Sequence, residues 1–284
     1  MSNDTSNIST LHGPIGVFDS GYGGLTILKE LRRRLPRYDY LYLGDNARAP
    51  YGTRSFGLVY EFTLQAVNRL FAEGCPLVIL ACNTASAKAL RSIQQRDLPV
   101  SADPTRRVLG VIRPTAEYVG TASRTGHVGV FATPGTIASR SYDIEIGKLH
   151  PAFVTTGHAC PMWVPLVECG DADSDGADFF VKRECDRLMA EDGDIDTVIL
   201  GCTHYPLLAD KIRRYLPDSV SLLSQGTIVA DSLADYLERH PEMRCRLSTD
   251  GTARFLTTEN PDRFDPLATL FMGEDVAARH VTLS

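Results

Sequence analysis

Short apolar runs rich in β-branched residues alternate along the chain with longer stretches of helical period. The runs 14–18, 39–43, 77–81, 107–112, 127–131, 152–155, 196–200 and 220–223 predict strands. Between them, 24–34, 55–73, 84–96, 114–123, 135–148, 174–190, 206–215 and 226–239 carry the three-to-four-residue spacing of helices. Continuous apolar runs joined by helices signify parallel strands buried on both faces. The expected fold class is therefore α/β, with open, mostly parallel sheets. Residues 1–11 read as a flexible, solvated tail, 170–176 (GDADSDG) as a polar loop, and the pattern is weakest after about 241.

The pattern also repeats. Ile15-Gly16-Val17-Phe18 returns 113 residues later as Val128-Gly129-Val130-Phe131, and Val78-Ile79-Leu80-Ala81-Cys82 returns 120 residues later as Val198-Ile199-Leu200-Gly201-Cys202. Two offsets this close, in the same order, indicate two α/β units of similar plan. Chance likeness of apolar strands would explain the shared Val-Ile-Leu, but less readily the cysteine and two polar residues that follow it each time. In open α/β sheets, ligands sit beyond the carboxyl ends of the strands. Cys82 and Cys202 stand at such ends, where a helix begins. If the two units face each other, the thiols approach one cleft from opposite sides.

Composition narrows the class. The 284 residues are 43% hydrophobic and 23% charged, an ordinary globular balance. The longest apolar runs, such as 75–82, fall far short of a membrane span, and no export signal is read at the N-terminus. A formal net charge of −6 gives no basic field for nucleic acid, although a pocket can oppose the global sign. The seven cysteines include no CxxC pair, so free thiols in a reducing cytoplasm are expected and a structural zinc site is not.

Several residue groups carry candidate chemistry. A helix N-terminus lowers a thiol's pKa, and two thiols facing one carbon could move a proton from one face to the other, inverting the stereocentre. The spacing alone leaves open one covalent nucleophile or two structural thiols. Asp19-Ser20-Gly21-Tyr22-Gly23-Gly24 follows the first strand and is either an anion cradle or a plain turn, with Asp19 placed for an acid/base or orienting role. Asp45 to Gly52, with Pro50-Tyr51-Gly52, is a loop over a ligand or a simple connection. Thr133, Thr136 and Ser139 could bond a carboxylate or cap a helix. His204 could share a proton with Cys202 or be structural. Glu168 has no spacing argument of its own.

The segments FDSGYGGLTILKEL (18–31), LGDNARAPYG (43–52), ILACNTASAKAL (79–90), ACPMWVPLVECG (159–170) and LGCTHYPLL (200–208) resemble, in order, those of the glutamate racemases, within the cofactor-independent aspartate/glutamate racemase superfamily. The resemblance implies two α/β domains about a pseudo-twofold axis, 12–112 with 222–284 and 113–221, with the active site between them. It implies that Cys82 exchanges the α-proton of D-glutamate and Cys202 that of L-glutamate. Asp19 and His204 would assist the nearer thiol, and Asp45 and Glu168 would be further acidic groups of the site. Ser20, Pro50, Tyr51, Gly52, Asn83, Thr84, Thr133, Thr136 and Thr203, with Asp19 and His204, would bind substrate. It further implies no pyridoxal phosphate and no metal, a bacterial cytoplasmic homodimer, and D-glutamate supply to peptidoglycan synthesis. Some glutamate racemases restrain DNA gyrase, so a partner role could coexist. Asn46, Arg113-Pro114-Thr115 and Ser224-Gln225-Gly226 depart from the family's usual residues without touching a matched catalytic position. The competing readings are an aspartate or related amino-acid racemase, a non-catalytic binding or gyrase-restraining protein, and a one-thiol hydrolase.

Overall fold

The computed structural model describes residues 12–284, so the expected tail at 1–11 lies outside the described residues. Ten strands are present among them: β1 (Ile15–Asp19), β2 (Tyr40–Gly44), β3 (Leu77–Leu80), β4 (Arg107–Gly110), β5 (His127–Ala132), β6 (Val154–Ala159), β7 (Thr197–Gly201), β8 (Ser221–Leu223), β9 (Ala253–Thr257) and β10 (Ala278–His280). They form a six-stranded sheet, β10-β9-β2-β1-β3-β4, and a four-stranded sheet, β6-β5-β7-β8. Every pairing in both is parallel. The order β2-β1-β3-β4 recurs as β6-β5-β7-β8, so the molecule is two α/β domains of one plan. The sequence repeat anticipates the register itself. Gly16 pairs with Val78 and Gly129 with Val198, the residues that the two offsets equate.

The central strands β1, β2, β3 and β7 are buried along their whole length, as parallel strands with a helix on each face must be. The helix Gly24–Arg34 shows why these segments fold as they do. Leu25, Ile27, Leu28 and Leu31 lie on one face and are buried, each stabilising the fold by about 1.5–3 kcal/mol. Arg32, Arg33 and Arg34 close its last turn, where positive charge suits the helix dipole, and Pro36 forbids continuation. One apolar cluster runs from Ile15 and Val17 of β1 to Phe131, Trp163, Leu200 and Tyr205 of the second domain, joining the two halves. The helix Gln225–Arg239 packs against both Gly24–Arg34 and Ile112–Ala122, and so bridges the domains again.

Five local expectations change. β6 runs to Ala159 instead of ending at 155. β4 stops at Gly110, and the next helix begins at Ile112. The single helix expected over 84–96 is Asn83–Lys88, a short turn Leu90–Ser92 and a wide turn Ile93–Asp97, ending before Pro99. The helix expected over 135–148 is two, broken at Arg140, whose φ is +55°. There the Ser139 hydroxyl donates to Thr136 O at 2.6 Å and accepts from Ser141 N at 3.2 Å, offering the backbone a local alternative to helix. Finally, the weakly patterned end supplies β9 and β10, which extend the first sheet, and a helix over Pro261–Met272. No helix among the described residues is long and apolar enough to cross a membrane.

Candidate active site between the two sheets

β3 and β7 are equivalent strands, and each delivers a buried cysteine just past its carboxyl end. Cys82 caps the helix Asn83–Lys88, its sulfur accepting the Ala85 N–H at 3.5 Å. Cys202 precedes the turn Tyr205–Leu208. Both thiols line one cavity of about 130 Å³. That is below the usual range of roughly 300–1,000 Å³ for drug-sized ligands and suits a small metabolite. A larger cavity, about 610 Å³, is bordered by Ser86, Arg91, Arg113 and Glu145 and carries no cysteine or histidine. The two candidate thiols and His204 thus all lie in the smaller one.

The first domain contributes Ser20, Pro50, Tyr51, Gly52, Asn83 and Thr84 to that cavity, and the second contributes Thr133, Glu168, Thr203 and His204. Three expected residues, Asp19, Asp45 and Thr136, are buried beside it but are not part of its lining. Asp45 is wholly engaged. It accepts from Arg48 Nε at 2.7 Å, from Thr258 Oγ1 at 2.8 Å and from the Tyr51 hydroxyl. It anchors the loop that carries Tyr51. Thr84 and Thr133 share a hydrogen bond at 2.9 Å, and Thr136 joins them at 3.1 Å from Thr133. This is a cluster of hydroxyls from both domains that suits a carboxylate.

The two thiols sit in opposite electrical surroundings. Burial pushes Cys82 up to about 12, and nearby Asp19 and Cys202 add to the rise. Ser20 Oγ at 3.4 Å and the Ala85 N–H oppose it and lose. Desolvation thus outweighs the helix start, which by itself would favour a Cys82 thiolate. Cys202 instead faces an imidazole, Sγ to His204 Nδ1 at 3.9 Å, and His204 Nε2 meets Glu168 Oε1 at 3.0 Å. Burial alone would strip the proton from His204, but the Cys202 sulfur and the Glu168 carboxylate together raise its pKa above the ordinary imidazole value. Burial likewise raises Asp19, against the pull of His204. Asp19 accepts from the Gly21 amide at 2.9 Å and stands 3.5 Å from the Thr203 hydroxyl, spanning the domains.

The glycines of the first loop have a use beyond the one expected. A Cβ on Gly23 would lie 2.2 Å from Thr203 Oγ1 and 2.5 Å from His204 Nδ1, and one on Gly24 would lie 2.4 Å from Asp19 Cβ. Gly23 admits the Cys202 loop of the other domain, and Gly24 lets the helix start lie against Asp19 at the end of the first strand. Sequence reasoning missed Cys160, Pro161, Val164 and Pro165, which also line the cavity. The signal was present but displaced. Cys160 follows the carboxyl end of β6, which the apolar pattern placed four residues too early.

Residues 22–233 match the Asp/Glu/Hydantoin racemase family. The chain is 43% identical to a glutamate racemase of Roseobacter denitrificans, over 91% of this chain and 96% of that protein. Its fold matches a glutamate racemase isoform of Bacillus anthracis with a TM-score of 0.87 at 35% identity, covering 96% of this chain and 98% of that one. It also matches the glutamate racemase of Francisella tularensis in complex with D-glutamate, with a TM-score of 0.84 at 32% identity over 96% and 98%. The chain belongs to the Asp/Glu/Hydantoin racemase family.

Proposed function

We propose that the protein is a glutamate racemase that interconverts L- and D-glutamate by proton transfer between Cys82 and Cys202. The carrying observation is one small cavity holding two thiols in unlike surroundings. Two-base inversion requires one thiol protonated and one ionised at the same moment. Cys82, pushed up to about 12, holds its proton. Cys202 faces His204, whose pKa the Cys202 sulfur and the Glu168 carboxylate raise against burial, so a cationic partner stands beside the sulfur that works on the opposite face.

In this reading the Cys202 sulfur takes the α-proton of L-glutamate, and Cys82 returns its own proton to the opposite face. The product is D-glutamate, with Cys82 ionised and Cys202 protonated, and the reverse reaction starts from that state. The α-proton is weakly acidic, so the developing charge on the α-carbon and carboxylate needs donors already in place. Ser20, Thr84 and Thr203 are those donors, and Asn83 holds the substrate carboxylate in ground and transition state alike; one donor specific to the transition state typically contributes about 3–4 kcal/mol. Thr133 completes the hydroxyl set. Thr136 and Asp45 act from behind, on Thr133 and Tyr51. Asp19 bridges the Cys82 side to Thr203.

The same reading carries the family's wider setting: D-glutamate for peptidoglycan synthesis, a cytoplasmic location and a homodimer, the last checked by light scattering. It also divides the chain into 12–112 with 222–284 and 113–221; the return of β9 and β10 to the first sheet supports this discontinuous plan, although Leu222 and Leu223 still pair in β8 of the second sheet and the return crossover follows them.

The test is circular dichroism of purified, reduced protein with pure D-glutamate in deuterated water, without added cofactor. Loss of optical activity with deuterium at the α-carbon is the expected result. Cys82→Ser and Cys202→Ser should each abolish efficient racemisation while glutamate binding survives. Near-wild-type turnover in either variant refutes the two-thiol assignment.

A further inference from the structure

Behind Asn83 lies a closed ring of side-chain hydrogen bonds. Asn83 Nδ2 donates to Gln225 Oε1 at 2.6 Å, Gln225 Nε2 donates to the Tyr142 hydroxyl at 2.8 Å, and that hydroxyl donates to Asn83 Oδ1 at 2.7 Å. All three side chains are buried, with Asn83 and Tyr142 each 3% exposed and Gln225 2%. The three come from separate helices that begin at Asn83, Ser141 and Gln225, so no local pattern brings them together.

The direction of the ring is set from outside it. The Thr115 hydroxyl donates to Val111 O at 2.8 Å, which leaves its oxygen as the acceptor for Gln225 Nε2 at 2.9 Å. Gln225 must therefore turn its nitrogen toward Thr115 and Tyr142, and its oxygen toward Asn83. Tyr142, having accepted from Gln225, has its one proton left for Asn83 Oδ1. The carboxamide of Asn83 is thus held with its oxygen on Tyr142. Its nitrogen keeps one N–H beyond the bond to Gln225, and Asn83 lines the cavity.

We propose that Gln225 and Tyr142 are positioning residues that lock the Asn83 carboxamide in the one orientation that offers an N–H, and not a carbonyl oxygen, to a substrate carboxylate. The inference rests on the racemase reading for its substrate. A flipped amide would set its oxygen against that carboxylate, so the lock acts on binding. The ring also joins Asn83, on the first domain, to Tyr142, on the second, and to the return crossover that Gln225 opens.

The experiment compares Gln225→Met, Tyr142→Phe and the double variant with the wild type, in full-length protein, using D- and L-glutamate. Each single variant should raise KM about tenfold, near the lower end of what a hydrogen bond to a charged group contributes, with kcat changed far less. The double variant should resemble the singles, because both act through one amide. A purely structural role would lower the melting temperature and leave KM alone. KM within about twofold of wild type in either folded variant overturns the proposal. If Gln225→Met does not fold, Tyr142→Phe, which removes a single oxygen, decides by the same criterion. An NMR spectrum separates this failure from that of the racemase reading. The Asn83 side-chain amide should exchange slowly with solvent in the wild type and faster in Tyr142→Phe, whether or not glutamate is turned over; equal exchange in the two also overturns the lock.

Discussion

Replacing Glu168 by glutamine removes one charge from the site at nearly constant shape. Glu168 Oε1 lies 3.0 Å from His204 Nε2, with the two side chains 28% and 6% exposed. At that distance an effective dielectric of about 20 gives a raw attraction of about 5 kcal/mol, which the partial exposure of Glu168 reduces. A glutamine oxygen still accepts from the imidazole, so only the charge contribution is lost. Taking about 2 kcal/mol, near the low end for hydrogen bonds to charged groups, lowers the proton affinity of His204 by about 1.5 pKa units. The sign follows. His204 is a base whose pKa the site raises, so its protonated form persists at neutral pH and is lost as pH rises through that raised value. In Glu168→Gln the loss begins at lower pH, and the alkaline limb of kcat/KM moves down by about the same 1–2 units. The two enantiomers of glutamate have equal free energies in water. Whatever factor kcat/KM loses, it must lose equally in the L-to-D and D-to-L directions. The assay is circular dichroism of both reactions from neutral to alkaline pH. The expected result is a loss of about tenfold on the alkaline side, matching in the two directions. An unmoved alkaline limb in a folded variant would refute the His204–Glu168 role.

Gly23→Ala places a methyl 2.2 Å from Thr203 Oγ1, an overpacking of about 1–3 kcal/mol, and should lower kcat/KM for both enantiomers by much more than it lowers thermal stability; equal activity would mean that the Cys202 loop can retreat without cost. Tyr51→Phe removes one of the donors to the buried Asp45 carboxylate and should reduce stability by about 1–2 kcal/mol in urea unfolding, with Arg48 and Thr258 still in place. Trp163→Ala empties a fully buried site packed at 4.9 Å on Phe131 and 4.8 Å on Tyr205, measured between ring centroids; it should cost about 3–5 kcal/mol by the same assay.

Much of the framework was legible because strand and helix periods are local. The apolar runs located the eight strands from β1 to β8, most of them within about two residues, and the two offsets foretold the shared register of β1 with β3 and β5 with β7. β9 and β10 escaped notice for a physical reason. They are added at one end of the first sheet, where Arg254, Arg279 and His280 remain exposed, so neither has the continuous apolar run of a central strand. The break at Arg140 escaped because it depends on what Ser139 bonds, and apolar spacing cannot express that.

The site divides the same way. The position of Cys82 and Cys202 at strand ends is a property of chain order, and so is their approach from two equivalent units. The state of each group is not. Burial, Asp19 and Cys202 push Cys82 up against the pull of a helix start, and these are sums over neighbours far away in the chain. Asp45 lies outside the cavity lining because Arg48, Tyr51 and Thr258 converge on it. The amide of Asn83 has its direction from Gln225 and Tyr142, 142 and 59 residues distant. The class of fold, the doubling and the pair of thiols follow from short-range patterns of polarity and were readable along the chain. The electrostatic surroundings and the orientation of the site groups were not, because desolvation and hydrogen bonding depend on which groups share a volume, whatever their separation along the chain.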